Sequence, residues 1–242
     1  MKNLLYLAAI VCLAATAGAC SEKEEEWNGM KSNVKLVRSI VHVNGNWRSN
    51  PYVLEYDELN RITKFEDYTL SYNGNTMTMK SRNGGTTYTC TLNSAGYATK
   101  VVYEEAESDY SIVDEHTYDK NGYLTHCKEH WDEEGYSDVD NWSFKWENGN
   151  LISFSGPWSG KFTYGTTANV PINLDLFYIT DDYGCELGEQ LGFLGFLGRQ
   201  NKNLPTTYVD EDGYTINYKY EFNADGTVSK VTFGAICIEL YY

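Results

Sequence analysis

Residues 118–125 read YDKNGYLT, and the same phrase recurs along the chain with changed letters. Gap-free copies are YDELNRITKF from Tyr56, LNSAGYATKV from Leu92, YDKNGYLTHC from Tyr118 and FNADGTVSKV from Phe222. Two looser copies, YNGNTMTM from Tyr72 and WENGNLISF from Trp146, turn at Asn-Gly. A large apolar residue opens each gap-free copy, Asp or Asn follows, and Gly or Asn comes three residues later.

The fixed letters of the phrase predict a β-hairpin. An Asp or Asn side chain caps a type I turn, and the residue three positions later needs positive φ, which Gly adopts freely and Asn at low cost. The predicted corner residues are Asn60, Gly96, Gly122 and Gly226. Ile62 and Phe65 follow three residues apart, which indicates a bulge in the return strand. Six copies therefore predict about twelve antiparallel strands.

Composition supports an all-β fold. The 242 residues include 21 Tyr and 21 Gly but 4 Pro, which suits strands joined by tight turns. Because single hairpins are marginally stable in water, consecutive ones are expected to pair edge to edge. We predict one domain over residues 34–242, an antiparallel meander that forms an open barrel or a strongly curved sheet.

An apolar insert interrupts the hairpin spacing between residues 172 and 204. It contains ELGEQLGFLGFLGRQNKNLP, in which Leu187, Leu191 and Leu194 share one helical stripe. Several glycines weaken a helix, so a short helical segment near residues 186–200 is expected. The favoured interpretation is a plug that covers the concave face of the sheet, and the alternative is a mobile gate or a loop that dips into a membrane.

The N-terminus predicts export and lipidation. Lys2, the apolar stretch after it and Ala17-Gly18-Ala19 form a signal peptide over residues 1–19, with cleavage before Cys20. Residues 20–33 then provide a lipidated Cys20 and an acidic tether. This predicts a lipid anchor at the outer membrane or cell surface of a Gram-negative bacterium. A periplasmic or secreted soluble protein is the alternative, since Ala17 stands where lipoproteins usually carry Leu.

Charge disfavours nucleic acid as a partner, because 34 acidic and 19 basic residues give a formal net charge of −15. Acidic clusters occur at Glu104-Glu105-Glu107-Asp109, Asp132-Glu133-Glu134, Asp181-Asp182 and Asp210-Glu211-Asp212. Most are expected in solvated loops. A carboxylate-dependent glycan hydrolase and a calcium loop at Asp210 are weaker alternatives, and no catalytic residue is predicted.

No cofactor or metal site is predicted. After signal removal, four cysteines besides Cys20 remain, and sequence alone leaves open whether they form disulfides. They are Cys90, Cys127, Cys185 and Cys237. No spacing typical of a zinc site is present, and His126 and His130 lie some 13 Å apart on a strand, too far to share one metal.

Four aromatic residues are candidates for ligand binding. Trp142, Phe144 and Trp146 alternate on one face of a strand, and Trp158 follows closely. An exposed row of rings would stack on the sugars of a glycan, whereas a buried row would fill the core of the sheet. Exposure to water would decide between the two interpretations.

The repeat resembles the tyrosine-aspartate (YD/RHS-like) repeats of secreted bacterial proteins. With the lipoprotein start and the stretch LGFLGRQNKNLP (Leu194 to Pro205), residues 34–242 resemble a domain-of-unknown-function family of lipoproteins described as having a porin-like β fold. The resemblance implies a fold and an envelope location and transfers no site residues. Lys64, Lys100 and Lys128 at strand positions disfavour a membrane-spanning barrel.

We therefore expect a non-catalytic binding module for an extracellular glycan or protein partner. A structural accessory of the envelope, without a ligand of its own, is the alternative, and an enzyme ranks third.

Overall fold

The computed structural model describes residues 34–133, 135–179 and 188–242. These ranges form eighteen strands: β1 (Ser39–Asn44), β2 (Trp47–Arg48), β3 (Tyr52–Val53), β4 (Glu55–Tyr56), β5 (Ile62–Phe65), β6 (Tyr68–Asn73), β7 (Thr76–Ser81), β8 (Thr86–Leu92), β9 (Ala98–Glu105), β10 (Ser111–Tyr118), β11 (Leu124–Glu133), β12 (Tyr136–Glu147), β13 (Asn150–Ser155), β14 (Ser159–Ala168), β15 (Asn203–Asp210), β16 (Thr215–Phe222), β17 (Val228–Phe233) and β18 (Ile236–Tyr241). A 3-10 helix spans Leu176–Ile179, and helix α1 spans Gly188–Phe193. The predicted all-β class is confirmed.

The sheet is an antiparallel meander in which consecutive strands pair in chain order from β4 to β18. It curves back on itself, because β18 pairs with β1 and places Ser39 opposite Tyr241. Strand β1 also pairs with β3 as far as Val53, whereas β4 begins at Glu55 and its ladder is with β5. Leu54 N still donates to Arg38 O (2.9 Å), but the pairing partner changes after it, so no single strand pairs with both β1 and β5 and the sheet is not closed into a continuous ring.

The predicted count of about twelve strands is wrong, although the six repeat-derived hairpins are present. They are β4–β5, β6–β7, β8–β9, β10–β11, β12–β13 and β16–β17. The other six strands, β1, β2, β3, β14, β15 and β18, follow connections that differ from the phrase. The turn from β1 to β2 uses Gly45 at φ 57°, for example, and the insert separates β14 from β15. A repeat search does not detect strands joined in these ways.

The corner residues of the phrase have left-handed backbone conformations. The φ angles are 59° at Asn60, 85° at Gly96, 86° at Gly122 and 84° at Gly226. In the β10–β11 hairpin, Asp119 Oδ1 accepts hydrogen bonds from the N–H groups of Asn121 (2.8 Å) and Tyr123 (3.0 Å). Burial acts to raise the pKa of Asp119, but these bonds outweigh it and the pKa lies below its usual value. The turn therefore favours the charged carboxylate.

A register shift follows the turn in five of the six hairpins and forms the bulge that the residue spacing predicts. The apolar residues on either side of the offset are all buried: Ile62, Phe65, Ala98, Val101, Leu124, Cys127, Val228 and Val231. The bulge thus lets residues three apart face the same core, which a regular two-residue period would not allow.

Aromatic residues tie neighbouring strands together, and four of them, Tyr56, Tyr72, Tyr118 and Trp146, open a copy of the phrase. Each ring packs inside the sheet, and its polar atom donates a hydrogen bond to a backbone carbonyl near the start of an earlier strand. These bonds are Tyr56 to Val37, Tyr72 to Ile62 (2.8 Å), Tyr118 to Ala98 (2.6 Å), Trp146 to Leu124 (2.7 Å), Tyr164 to Leu151 (2.6 Å), Tyr220 to Pro205 (3.0 Å) and Tyr242 to Val228 (2.7 Å). Tyr and Trp suit this position because each has a large apolar body and one polar group at its edge.

The described residues between β14 and β15, 169–179 and 188–202, contain most of the predicted insert and pack on the inner face of the sheet. Leu174, Leu191 and Leu194 are fully buried. The ring of Phe177 lies 4.6 Å from that of Phe162 on β14. This arrangement matches the predicted plug and the predicted short helix. Neither helix in the described ranges has the length and apolar character needed to cross a membrane.

The last part of the insert, residues 196–202, forms a belt across three hairpin turns. Ala98 N donates to Phe196 O (2.8 Å), Arg199 N to Gly122 O (2.8 Å) and Lys202 N to Gly149 O (2.9 Å). These contacts recur every three residues. Three extended residues span about 10 Å, and successive hairpins are two strand spacings of about 4.8 Å apart, so the two periods match.

Candidate functional site

The two ends of the sheet differ in chemistry. Because the meander alternates direction, the repeat turns gather at one end, which the belt crosses, and most other connections gather at the opposite end. We name these the repeat end and the acidic end. The described residues of three predicted acidic clusters lie at or beside turns of the acidic end: Glu104, Glu105, Glu107, Asp109, Asp132, Glu133, Asp210, Glu211 and Asp212. Glu134, Asp181 and Asp182 lie outside the described residues.

An aromatic row lines the inner face of the sheet at the acidic end. Its members are Tyr68, Tyr88, Tyr103, Tyr110, Trp131 and Tyr136. Tyr88, Tyr103 and Trp131 lie in one cross-strand register, with Ile112 between Tyr103 and Trp131, and the ring centroids of Tyr88 and Tyr103 are 5.0 Å apart. Tyr88 is 7% exposed, whereas Tyr136 at the hairpin tip is 61% exposed. The row therefore runs from the core out to solvent.

The carboxylate of Glu105 lies directly beside one of these rings, that of Tyr103. The Tyr103 hydroxyl donates a hydrogen bond to Glu105 Oε1 (2.6 Å). Burial and this bond raise the pKa of Tyr103, so the phenol stays neutral at physiological pH. Sequence reasoning missed the row because its members come from six separate segments. Tyr88 lies two residues before buried Cys90, and Trp131 lies two residues after buried Glu129, so each ring shares the inner face of its strand with a buried residue. This two-residue period is the sequence signal that could have placed the rings inside the sheet.

The predicted ligand-binding strip lies mainly in the core. Trp142 is 1% exposed and Phe144 8% exposed, and both belong to the inner face of β12. Trp146 is partly buried and stacks on Tyr123 at 4.5 Å. Trp158 is 37% exposed and meets Trp142 edge to face at 4.4 Å. Three of the four rings are thus used for packing, and ligand binding at Trp158 stays a prediction.

Among the described residues of the insert, Asp175 has its carboxyl group in the interior. Asp175 is buried, and its Oδ1 accepts a hydrogen bond from Phe177 N (3.1 Å) at the start of the 3-10 helix. Burial raises the pKa of Asp175 to about 7, against the effect of that bond. Its backbone N–H donates to Phe193 O (2.8 Å), which connects the two helices of the insert.

The predicted calcium loop at Asp210 and the two candidate histidines, His126 and His130, lie in separate parts of the sheet. Asp210, the proposed start of a calcium loop, instead begins the β15–β16 turn, where Tyr214 N donates to its Oδ1 at 2.7 Å and Gly213 has φ 84°. This turn follows the D-x-x-G spacing of the repeat and is a seventh occurrence, which the alignment of repeat copies missed.

His126 and His130 lie on the outer face of β11, away from the buried positions of that strand.

The described cysteines are buried thiols: Cys90, Cys127 and Cys237. Cys20 and Cys185 lie outside the described residues. The described residues form shallow surface clefts of about 210 Å³ near Tyr214 and about 430 Å³ near Asp225. Neither is lined by a pair of carboxylates, which a glycan hydrolase would require.

Two solved structures share this architecture. A porin-like protein from Bacteroides vulgatus ATCC 8482 aligns with a TM-score of 0.69 at 18% identity, over 86% of this chain and 98% of that one. A porin-like protein from Bacteroides uniformis ATCC 8492 aligns with a TM-score of 0.69 at 17% identity, over 89% and 99%. No protein-family model and no curated protein matches the sequence. The predicted membership of a lipoprotein family with tyrosine-aspartate repeats thus stays a prediction, whereas the porin-like, all-β fold is confirmed.

Proposed function

We propose that this protein is a non-catalytic binding module of the bacterial cell envelope and that it holds an extracellular glycan or protein at its acidic end. The observation that carries the proposal is the aromatic row, which reaches solvent at Tyr136 beside acidic turns. Aromatic faces offer large contact areas with little loss of side-chain entropy. The surrounding negative charge favours neutral or basic ligands over anionic ones.

The filled interior supports binding at an end of the sheet rather than passage through it. Apolar residues of the insert occupy the inner face, and the ring of Phe193 lies 5.7 Å from that of Phe65. The same feature favours the second candidate, a structural envelope accessory without a ligand. A carboxylate-dependent hydrolase ranks third, because the described clefts lack paired carboxylates.

Removal of two rings at the tip of the row tests the binding function. We expect Trp131→Ala/Tyr136→Ala to lower binding to a glycan array, or recovery of a partner in pull-downs, at least tenfold. The matched control is Phe222→Ala, because Phe222 is also a large exposed apolar residue, at 45%, but lies at the repeat end. Both measurements use the chain without residues 1–20, and circular dichroism checks that each variant is folded.

The outcome separates the candidates. Binding that survives the double variant but is lost in Trp158→Ala would move the site to the predicted strip. No reproducible glycan signal and no partner for the unmodified chain would favour the structural accessory.

The envelope location rests on Cys20 and is tested separately. We expect the wild-type chain to fractionate with membranes and Cys20→Ser to appear in the soluble fraction, since acyl chains supply roughly 0.8 kcal/mol per buried methylene. Metabolic labelling with a fatty acid should mark the wild-type chain alone. If Cys20→Ser stays in the membrane fraction, the lipid anchor is wrong and the periplasmic or secreted alternatives must be reconsidered.

A further inference from the structure

A second group of polar residues lies inside the wall of the sheet, below the aromatic row. Asp114 on β10 is opposite Glu129 on β11. Two residues further toward the repeat end, His116 is opposite Cys127. All four side chains are buried, with exposed fractions of 0%, 4%, 6% and 1% in that order. Asp140 on β12, half-buried, continues the carboxylate row beside Glu129.

Asp114 and Glu129 place two carboxyl groups next to each other in the core. The inward positions of β8 to β12 contain no lysine or arginine, and Lys100 and Lys128 are exposed on the outer face. Adjacent buried carboxylates cannot both stay ionised without a proton or a cation between them.

The donor atoms are close enough to share one ion. One donor atom each from Asp114, His116 and Cys127 lies within 4.8 Å of the others, and His116 Nε2 is 3.8 Å from Asp114 Oδ2. The ligands of a tetrahedral Zn²⁺ ion, with bonds of about 2.0–2.3 Å, stand about 3.5 Å apart. A contraction of about 1 Å would therefore close the group around a metal.

We propose that Asp114, His116 and Cys127 form a binding site for a divalent transition-metal ion, and that Zn²⁺ fits this donor set best. Thiolate, imidazole and carboxylate ligands together suit a borderline ion and not Ca²⁺ or Mg²⁺, which prefer oxygen alone. The ligands lie in the core and come from two paired strands, so the metal would tie β10 to β11.

Cys90 provides a matched comparison within the same core. It is buried near Asp114, and burial raises the pKa of its thiol to about 12. Because it lies outside the close group of donor atoms, we infer that it remains a thiol when Cys127 loses its proton to the metal.

The test uses the mature chain with Cys20→Ser as the common background, stripped with EDTA and then titrated with Zn²⁺ or Co²⁺. We expect one equivalent of metal by elemental analysis and a rise in Tm of about 5–10 °C at free Zn²⁺ one hundred times Kd. Co²⁺ should give a thiolate-to-metal charge-transfer band. The band should disappear in Cys127→Ser and remain in Cys90→Ser, Cys185→Ser and Cys237→Ser.

Two outcomes would overturn the proposal. One is a wild-type chain that binds no metal and has the same Tm in EDTA and in Zn²⁺. The other is a cobalt band that persists in Cys127→Ser and is lost in Cys185→Ser, which would place the metal elsewhere. If Cys127→Ser does not fold, the wild-type titration decides whether metal binds, and retention of the band in Cys90→Ser, Cys185→Ser and Cys237→Ser still assigns it to Cys127.

Discussion

Gly198→Ala is expected to lower the free energy of unfolding by about 3–4 kcal/mol, since two independent costs fall on one residue. Gly198 has φ 104°, a conformation that strains any residue with a side chain. An added Cβ would also lie 2.9 Å from Gly122 O and 3.0 Å from Tyr118 Cε1. The belt would have to move away from the turn and would lose the bond from Arg199 N to Gly122 O. Thermal unfolding should show a fall in Tm of about 10 °C.

Gly213→Ala is the matched control for this experiment. Gly213 also has positive φ, 84°, but an added Cβ there has no atom within 4 Å. We expect a loss of about 1–2 kcal/mol, which is the conformational cost alone. Equal losses in Gly198→Ala and Gly213→Ala would mean that the belt does not pack tightly on the Gly122 turn.

Trp142→Ala should destabilise the protein by about 3–5 kcal/mol, because the indole is 1% exposed and its removal leaves a large cavity. The ring packs at 6.2 Å from Phe154 and fills the space beside Gly156, where an added Cβ would lie 2.4 Å from Trp142 Cε3. Chemical denaturation monitored by circular dichroism measures the loss. If Trp142→Ala is insoluble, Trp142→Phe should show about half of the effect.

Trp158→Ala separates packing from ligand binding at the same place. Trp158 is 37% exposed, so its removal should cost only about 1 kcal/mol, mainly its edge-to-face contact with Trp142. A loss of glycan binding in Trp158→Ala with little change in stability would support the predicted strip. Similar stability losses for Trp142→Ala and Trp158→Ala would contradict the burial difference described here.

The hairpins could be predicted because their chemistry is local. Asp119 caps its own turn through hydrogen bonds to residues two and four positions later, and Gly122 closes it. Both features are therefore visible within one phrase. The role of the aromatic residue that opens the phrase could not be predicted from the phrase alone, because the Tyr118 hydroxyl donates its hydrogen bond to the Ala98 carbonyl in the preceding hairpin.

The candidate sites were not predictable, since their members meet through strand pairing. Trp131 joins the aromatic row through its place opposite Ile112, and Cys127 meets His116 in the same ladder. The bulge next to Tyr118 sets which residues of these two strands face each other. Spacing along the chain therefore contains no zinc-like pattern, although the donors lie close together.

The sequence by itself determined where the chain reverses, because a turn depends on the side chain and backbone of four neighbouring residues. It also determined that an apolar insert must be buried. Only the tertiary structure decided that the Trp142 face is core, that the belt follows the hairpin turns and that acidic groups meet inside the wall. Those properties depend on register and curvature, which arise when distant strands pair and share one interior.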